Sequence, residues 1–201
     1  MLELKRNKFR SFYQPSKLLL GVLPGEGDRE CNIIALCFTM TCSYDPPMIA
    51  VSIEKKNYSY DLIRVASNFV LAVPGESIAQ QAMSCGLLSG RDVDKFKECG
   101  LTKQSLHYGH VPGIAEAIAN IELSVESQVD TGDHITVIGR VLGYYVNPQN
   151  IEKNLLAVGP NSQGYKLLVR KGLHRIAVVE GGHEDYLKEF KVNRLFHDIL
   201  F

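Results

Sequence analysis

Apolar positions along this chain fall in short runs bounded by turn residues, and only a few segments carry the spacing of an amphipathic helix. Residues 16–23, Ser-Lys-Leu-Leu-Leu-Gly-Val-Leu, read as a buried strand, and Pro24-Gly25-Glu26-Gly27-Asp28 as the turn into the next one. The run from Asn32 to Cys42 predicts a strand, followed by a turn at Asp45-Pro46-Pro47 and a second, β-branched strand over 48–53. Asn57 or Ser59 then caps a short helix whose apolar face is Leu62, Ile63, Val65, Ala66 and Phe69. Val70-Leu71-Ala72-Val73 predicts a strand stopped by Pro74-Gly75. A second helix is expected to start at Ser77, with Gln80 completing a capping box, and to run through Met83.

Residues 86–113 are rich in loop signals, with a helical turn expected over 92–99. Residues 119–129 and 134–146 alternate apolar with polar and are joined by Asp130-Thr131-Gly132-Asp133, which predicts a long hairpin. Shorter strands are expected over 155–158, 166–169 and 173–179, and an amphipathic tail over 185–201. Strands outnumber helices and connect by short turns. The expected fold is therefore mainly β: an antiparallel barrel with a few short helices.

With 201 residues, 45% of them hydrophobic, the chain is long enough for one domain over 1–201, with a core from about 12 to 180. Its 22 basic and 22 acidic residues cancel, so no global field favours nucleic acid or an anionic membrane. The basic stretch 1–10 (Lys5, Arg6, Lys8, Arg10) reads as a solvated terminus. Five cysteines, an odd number without a C-x-x-C pair or an apolar leader, point to a reducing, cytoplasmic setting. The apolar runs fall short of the roughly 20 residues that span a bilayer.

Several chemistries drop out. Gly25-x-Gly27 has Glu30 where a dinucleotide fingerprint needs its third glycine, and no helix pattern follows. His107-x-x-His110 finds no acidic or cysteine partner at ligand spacing, so no metal site is expected, and His183-Glu184-Asp185 lacks the second histidine of a zinc-protease helix. There is no G-x-S-x-G elbow, and Cys85 and Cys99 read as incidental thiols. One candidate remains. Thr39, Thr41 and Ser43 alternate along one strand, so their hydroxyls share a face, while Lys55, Lys56, Asn57 and Ser59 lie across the hairpin where a helix begins. Hydroxyls, cations and a helix N-terminus together suit a phosphate. Threonines are also ordinary strand formers and surface lysines ordinarily solvated, and the pattern alone leaves both readings open.

The order of several motifs resembles the flavin reductase-like family of FMN-binding split barrels, in particular its flavoredoxin-type branch. They are Asn32-Ile33-x-Ala35, Asp45-Pro46-Pro47, Asn57-Tyr58-Ser59, Phe69-Val70-Leu71-Ala72-Val73-Pro74-Gly75, Ser89-Gly90-Arg91-x-Val93-Asp94-Lys95-Phe96, Ile121-Glu122 and Gly132-Asp133-His134. The resemblance implies a Greek-key split barrel that holds FMN non-covalently, usually at a homodimer interface. It places Asn32 in the site, Thr39, Met40, Thr41 and Cys42 along the isoalloxazine and ribityl chain, and Lys56, Asn57 and Ser59 on the phosphate. Ser89, Arg91 and Lys95 belong to a loop approaching the flavin, and His134 sits near it, against the alternative of a turn histidine bonded to backbone. His174 stands near where the family often has an aromatic residue. The implied function is an oxidoreductase passing electrons from NADH, NADPH or a redox partner protein through FMN, with no residue assigned to acid–base catalysis. A flavin-binding or sensing module without turnover, or a split barrel for another planar cofactor such as haem, are the alternatives.

Overall fold

The computed structural model describes residues 13–27, 29–150, 152–160 and 163–181. The basic stretch 1–10, His183, His197 and the tail 185–201 lie outside the described residues. Seven strands form one antiparallel sheet: β2 (Leu19–Pro24), β3 (Cys31–Leu36), β4 (Thr39–Tyr44), β5 (Pro47–Glu54), β6 (Asn68–Val73), β9 (Ala119–Thr131) and β10 (His134–Val146). Their spatial order is β3-β2-β6-β9-β10-β5-β4, the non-sequential order of a Greek key. The two edge strands, β3 and β4, are separated in the chain by Cys37 and Phe38 alone. So short a link forces the sheet to curl until its edges approach, and the Ser52 N–H, on β5, donates to the Phe38 carbonyl at 2.9 Å, carrying the β4–β5 ladder one residue into the link. This is the expected barrel.

The seam also corrects the sequence reading. One strand was expected over 32–42; the structure has two, with β3 paired to β2 and β4 to β5. Strand-forming residues run unbroken through the junction, so periodicity carries no mark of the change in partner. A bulge between Thr41 and Ser43 further breaks the alternation on which the three-hydroxyl face depended.

Apolar side chains form two cores, one on each face of the curled sheet. Leu19, Leu23, Ile34, Leu36, Val51, Ile53, Phe69, Leu71, Leu123 and Val137 belong to one. Leu20, Val22, Ile33, Val70 and Ala72 belong to the other, with Ala79, Ala82 and Met83 of helix α2 (Ala79–Leu87) and Phe96 of helix α3 (Lys95–Cys99). Strands β2, β3 and β6 are thus buried on both faces, which is why they read as continuous apolar runs rather than alternating ones. A second antiparallel sheet adds β1 (Ser16–Lys17), β11 (Leu156–Ala157), β12 (Tyr165–Lys171) and β13 (His174–Val179) in the order β1-β11-β13-β12. A two-stranded ribbon, β7 (Lys103–Gln104) with β8 (Gly113–Ile114), completes the strands. The long hairpin β9–β10 appears as expected, turning at Gly132 with φ of 70°, a conformation that suits glycine.

Helix α1 (Tyr58–Val65) buries Leu62 and Ile63, but Val65 is exposed, Ala66 is the C-cap and Phe69 belongs to β6. The expected capping box at Ser77 is absent. A 3-10 turn (Glu76–Ile78) precedes α2, Ile78 is the N-cap, and the Ser77 N–H donates instead to Glu152 Oε2 at 2.8 Å, a partner 75 residues away. Helix α3 does have a side-chain cap: Asp94 accepts from the N–H groups of Phe96 and Lys97 at 3.0 and 3.4 Å. Among the described residues no helix is long and apolar enough to cross a membrane.

Candidate functional site

Two adjoining cavities open beside β3, and they share Ile34, Ala35, Asn57, Gly86 and Leu87 as lining. The smaller, about 250 Å³, collects seven of the residues expected from sequence: Asn32, Lys56, Asn57, Ser59, Ser89, Arg91 and Lys95. They come from β3, the β5–α1 turn, the loop after α2 and the start of α3. Among the described residues no carboxylate lines this cavity.

Its floor is built from buried polar groups. Asn32, on β3, is 5% exposed; its Nδ2 donates to Ser59 Oγ at 3.0 Å, while its Oδ1 is buried with no hydrogen-bond partner among the described residues. A buried unsatisfied acceptor costs about 1–3 kcal/mol. Gly90 makes room for it: a Cβ there would overlap Asn32 Oδ1 and lie 2.6 Å from its Cγ. Lys95 is 6% exposed, and its Nζ donates to the Ile33 and Cys85 carbonyls, each at 2.7 Å. Those two bonds leave the third ammonium proton without an acceptor among the described residues. Burial lowers the Lys95 pKa below its ordinary 10.5, and no carboxylate pairs with it among the described residues. An anion in the cavity would supply that missing counter-charge.

Lys56 and Arg91 stand at the rim, in exposed ion pairs with Glu54 at 2.6 Å and Asp61 at 2.8 Å. Such pairs are worth little in water and exchange readily for a bound anion. Asn57 is the N-cap of α1 and makes no side-chain capping bond, so Asn57, Tyr58 and Ser59 present the start of that helix to the cavity.

The larger cavity, about 700 Å³, lies within the range of small-molecule sites and has mixed walls. Ile34, Leu36, Met83 and Leu173 are apolar, Cys37 and Phe38 come from the seam, and His134 and Arg175 are polar. The His134 ring packs against Phe38, centroids 5.4 Å apart, and its Nδ1 lies 2.6 Å from Asp133 Oδ1. His134 is thus oriented by a carboxylate rather than by backbone, and it faces the cavity.

Thr39, Met40, Thr41 and Cys42 line neither cavity. They lie on edge strand β4, where Met40, Thr41 and Cys42 are exposed. Sequence reasoning missed Phe38, Asp133, Arg175 and the role of Gly90. The first two stand next to residues already singled out, but Gly90 and Arg175 depend on contacts that only the fold creates.

Residues 21–191 match the flavin reductase like domain. An uncharacterised protein of Pyrococcus abyssi is 34% identical over 131 residues, 65% of this chain and 74% of its own length. Among solved structures, flavoredoxin of Desulfovibrio vulgaris (Miyazaki F) superposes with a TM-score of 0.65 at 25% identity, covering 84% of this chain and 89% of its own. An FMN-binding protein from Thermus thermophilus, solved with p-hydroxybenzaldehyde, reaches a TM-score of 0.70 at 23% identity over 90% of this chain and 99% of its own, a likeness of fold.

Proposed function

The chain belongs to the flavin reductase-like domain family, and from that premise we propose that it binds FMN non-covalently and works as an FMN-dependent oxidoreductase. The phosphate is assigned to the small cavity and the ring system to the large one. The observation that carries this reading is the Asn32 Oδ1 left unpaired beneath Gly90, in a cavity with three cations and no lining carboxylate. A phosphate monoester needs cationic donors, and the hydroxyls of the ribityl chain can donate to a waiting amide oxygen. Lys95, Ser59, Lys56 and Arg91 would hold the phosphate, with the start of α1, and Asn32 the polyol. Phe38 and the apolar wall would exclude water from one side of the ring, and His134, held by Asp133, would present a ring N–H or acceptor to it.

When bound, FMN supplies the electron chemistry, accepting and releasing one or two electrons. The donor we propose is NADH, NADPH or a redox partner protein. Met40 and Tyr44, exposed on edge strand β4, support a homodimer closed over that edge, which would also bring Thr39 to Cys42 toward a flavin. The five free thiols support a reducing, cytoplasmic setting. The test is the visible spectrum of the purified protein after FMN addition and desalting, followed anaerobically with NADH and NADPH. A retained flavin band that bleaches is expected. A retained band that no physiological donor bleaches would instead favour the sensing module, and no retained flavin at micromolar protein would overturn the assignment.

A further inference from the structure

Two cysteines that sequence spacing leaves unrelated are brought together beside the small cavity. Cys85, on α2, and Cys99, the last residue of α3, are 14 positions apart, and the Cys85 thiol donates to Cys99 Sγ at 3.6 Å. Both are free thiols. Cys85 is 1% exposed, while Cys99 is half-buried and precedes the exposed Gly100. Buried cysteines commonly act as small apolar packing residues, and both of these pack into the core that α2 and α3 cover. Packing alone sets no requirement that two sulfurs touch.

The pair brackets a segment that walls the small cavity, since Cys85, Ser89, Gly90, Arg91 and Lys95 all line it. It also bears directly on Lys95. Lys95 and Cys99 are four positions apart and share one face of α3, and both meet the same residue of α2. Lys95 Nζ donates to the Cys85 carbonyl at 2.7 Å, and Cys99 Sγ accepts from the Cys85 thiol. Disulfide sulfurs lie about 2.05 Å apart, so bonding these two closes roughly 1.5 Å between α2 and α3 at this point. Lys95 Nζ, held by two carbonyls at 2.7 Å, has little slack to absorb such a movement.

The two sulfurs have unequal roles. Burial raises both thiols above their ordinary 9.0, but at Cys99 the bond from Cys85 and the nearby Lys95 ammonium oppose it. Cys99 is also the more exposed of the two, which makes it the attacking group.

We propose that Cys85 and Cys99 are a reversible redox pair, oxidised by a low-molecular-weight disulfide, and that their bond weakens the hold of the small cavity on phosphate by displacing Lys95. The proposal rests on the assignment of the FMN phosphate to that cavity. Cys99 gives up its proton, and its thiolate attacks one sulfur of the oxidant, whose S–S bond breaks; one thiolate leaves and takes that proton. The Cys85 sulfur then attacks Cys99 Sγ in the mixed disulfide, and the second thiolate leaves with the Cys85 proton. The protein pair loses two electrons and two protons, and the oxidant becomes two thiols.

The test equilibrates wild type and Cys99→Ser, with and without FMN, in buffers of stepped oxidised-to-reduced glutathione ratio. Peptide mass spectrometry reads the Cys85–Cys99 link, and flavin fluorescence titration reads the affinity of each form. Oxidised wild type is expected to carry the link and to bind FMN about tenfold or more weakly than the reduced form, with full recovery in dithiothreitol. Riboflavin, which lacks the phosphate, should bind both forms nearly equally. Cys99→Ser should keep one FMN affinity across the buffers, which separates this pair from oxidation at Cys31, Cys37 or Cys42. By reciprocity, saturating FMN should raise the glutathione ratio at half-oxidation by the same factor that oxidation costs in affinity. If reduced wild type binds FMN but no linked peptide forms, or if the oxidised form binds FMN equally or more tightly, the proposal is overturned. Failure of reduced wild type to bind FMN would overturn the FMN assignment itself, and the proposal with it.

Discussion

Gly90→Ala is expected to lower FMN affinity by about a hundredfold or more while the protein still folds, because misplacing a binding group by about an ångström has effects of that size. Gly90 has no left-handed backbone conformation to protect, so the effect is steric. Its new Cβ would overlap Asn32 Oδ1 and lie 2.6 Å from Asn32 Cγ and 3.2 Å from Asn32 Nδ2. The amide must move, the Asn32–Ser59 bond breaks, and the acceptor we propose for the ribityl chain leaves the cavity. The stability cost is that of one buried side-chain bond, about 1–3 kcal/mol. Flavin fluorescence titration reads the affinity and thermal denaturation the stability. Adding Asn32→Ala removes the overlap, so the double variant should regain stability without regaining FMN affinity. Unchanged FMN affinity in Gly90→Ala would remove this cradle from the site.

The second large effect is on the fold. Glu122, on β9, is 2% exposed and accepts from the N–H groups of His107, Tyr108 and Gly109 at 2.9–3.1 Å and from the Tyr145 hydroxyl at 2.7 Å. It gathers the loop after β7 onto the barrel, and Tyr145 stacks on His107 with centroids 5.3 Å apart. Glu122→Ala leaves three amide donors and a phenol unpaired, and is expected to cost about 3–5 kcal/mol, the range for breaking a buried charged network. Glu122→Gln keeps one acceptor oxygen and should cost less. Burial alone would raise the Glu122 pKa, but donation from Tyr145, Tyr108, Gly109 and His107 outweighs it and holds the carboxyl below its ordinary 4.5. Burial and the bond to Glu122 in turn push the Tyr145 phenol up to about 12. A depressed carboxyl contributes stability that is present above its unfolded pKa and lost as pH falls through the folded one. Wild type should therefore lose stability below about pH 4.5, and Glu122→Gln should show a shallower acid limb. Parallel acid limbs in urea denaturation would contradict this.

Much of the barrel was legible because its strands carry their own punctuation. The β9–β10 hairpin is marked by alternation and by Asp-Thr-Gly-Asp, and the doubly buried strands by unbroken apolar runs. The seam at Cys37-Phe38 was not legible, since a strand that changes partner keeps its residue preferences. Nor was the capping of α2, where a distant Glu152 replaces the expected local box. In the site, the motifs containing Asn32, Lys56, Asn57, Ser59, Ser89, Arg91 and Lys95 do converge on one cavity. Their hidden content is relational: Asn32 is informative because its oxygen is unpaired, and Lys95 because two carbonyls hold it with one proton to spare. Thr39, Thr41 and Ser43 were singled out by hydroxyl alternation, and a bulge on an edge strand removed the geometry that made the pattern meaningful.

The measurement that bears most directly on the central claim is the affinity of the wild-type protein for FMN against riboflavin, which differ only in the phosphate. With a buried lysine, two rim cations and no lining carboxylate in the small cavity, FMN should bind about a hundredfold or more tightly than riboflavin, a difference of about 2.7 kcal/mol or more. The gap should narrow sharply in Lys95→Met. Equal affinity for the two flavins would contradict the assignment of the small cavity to the phosphate.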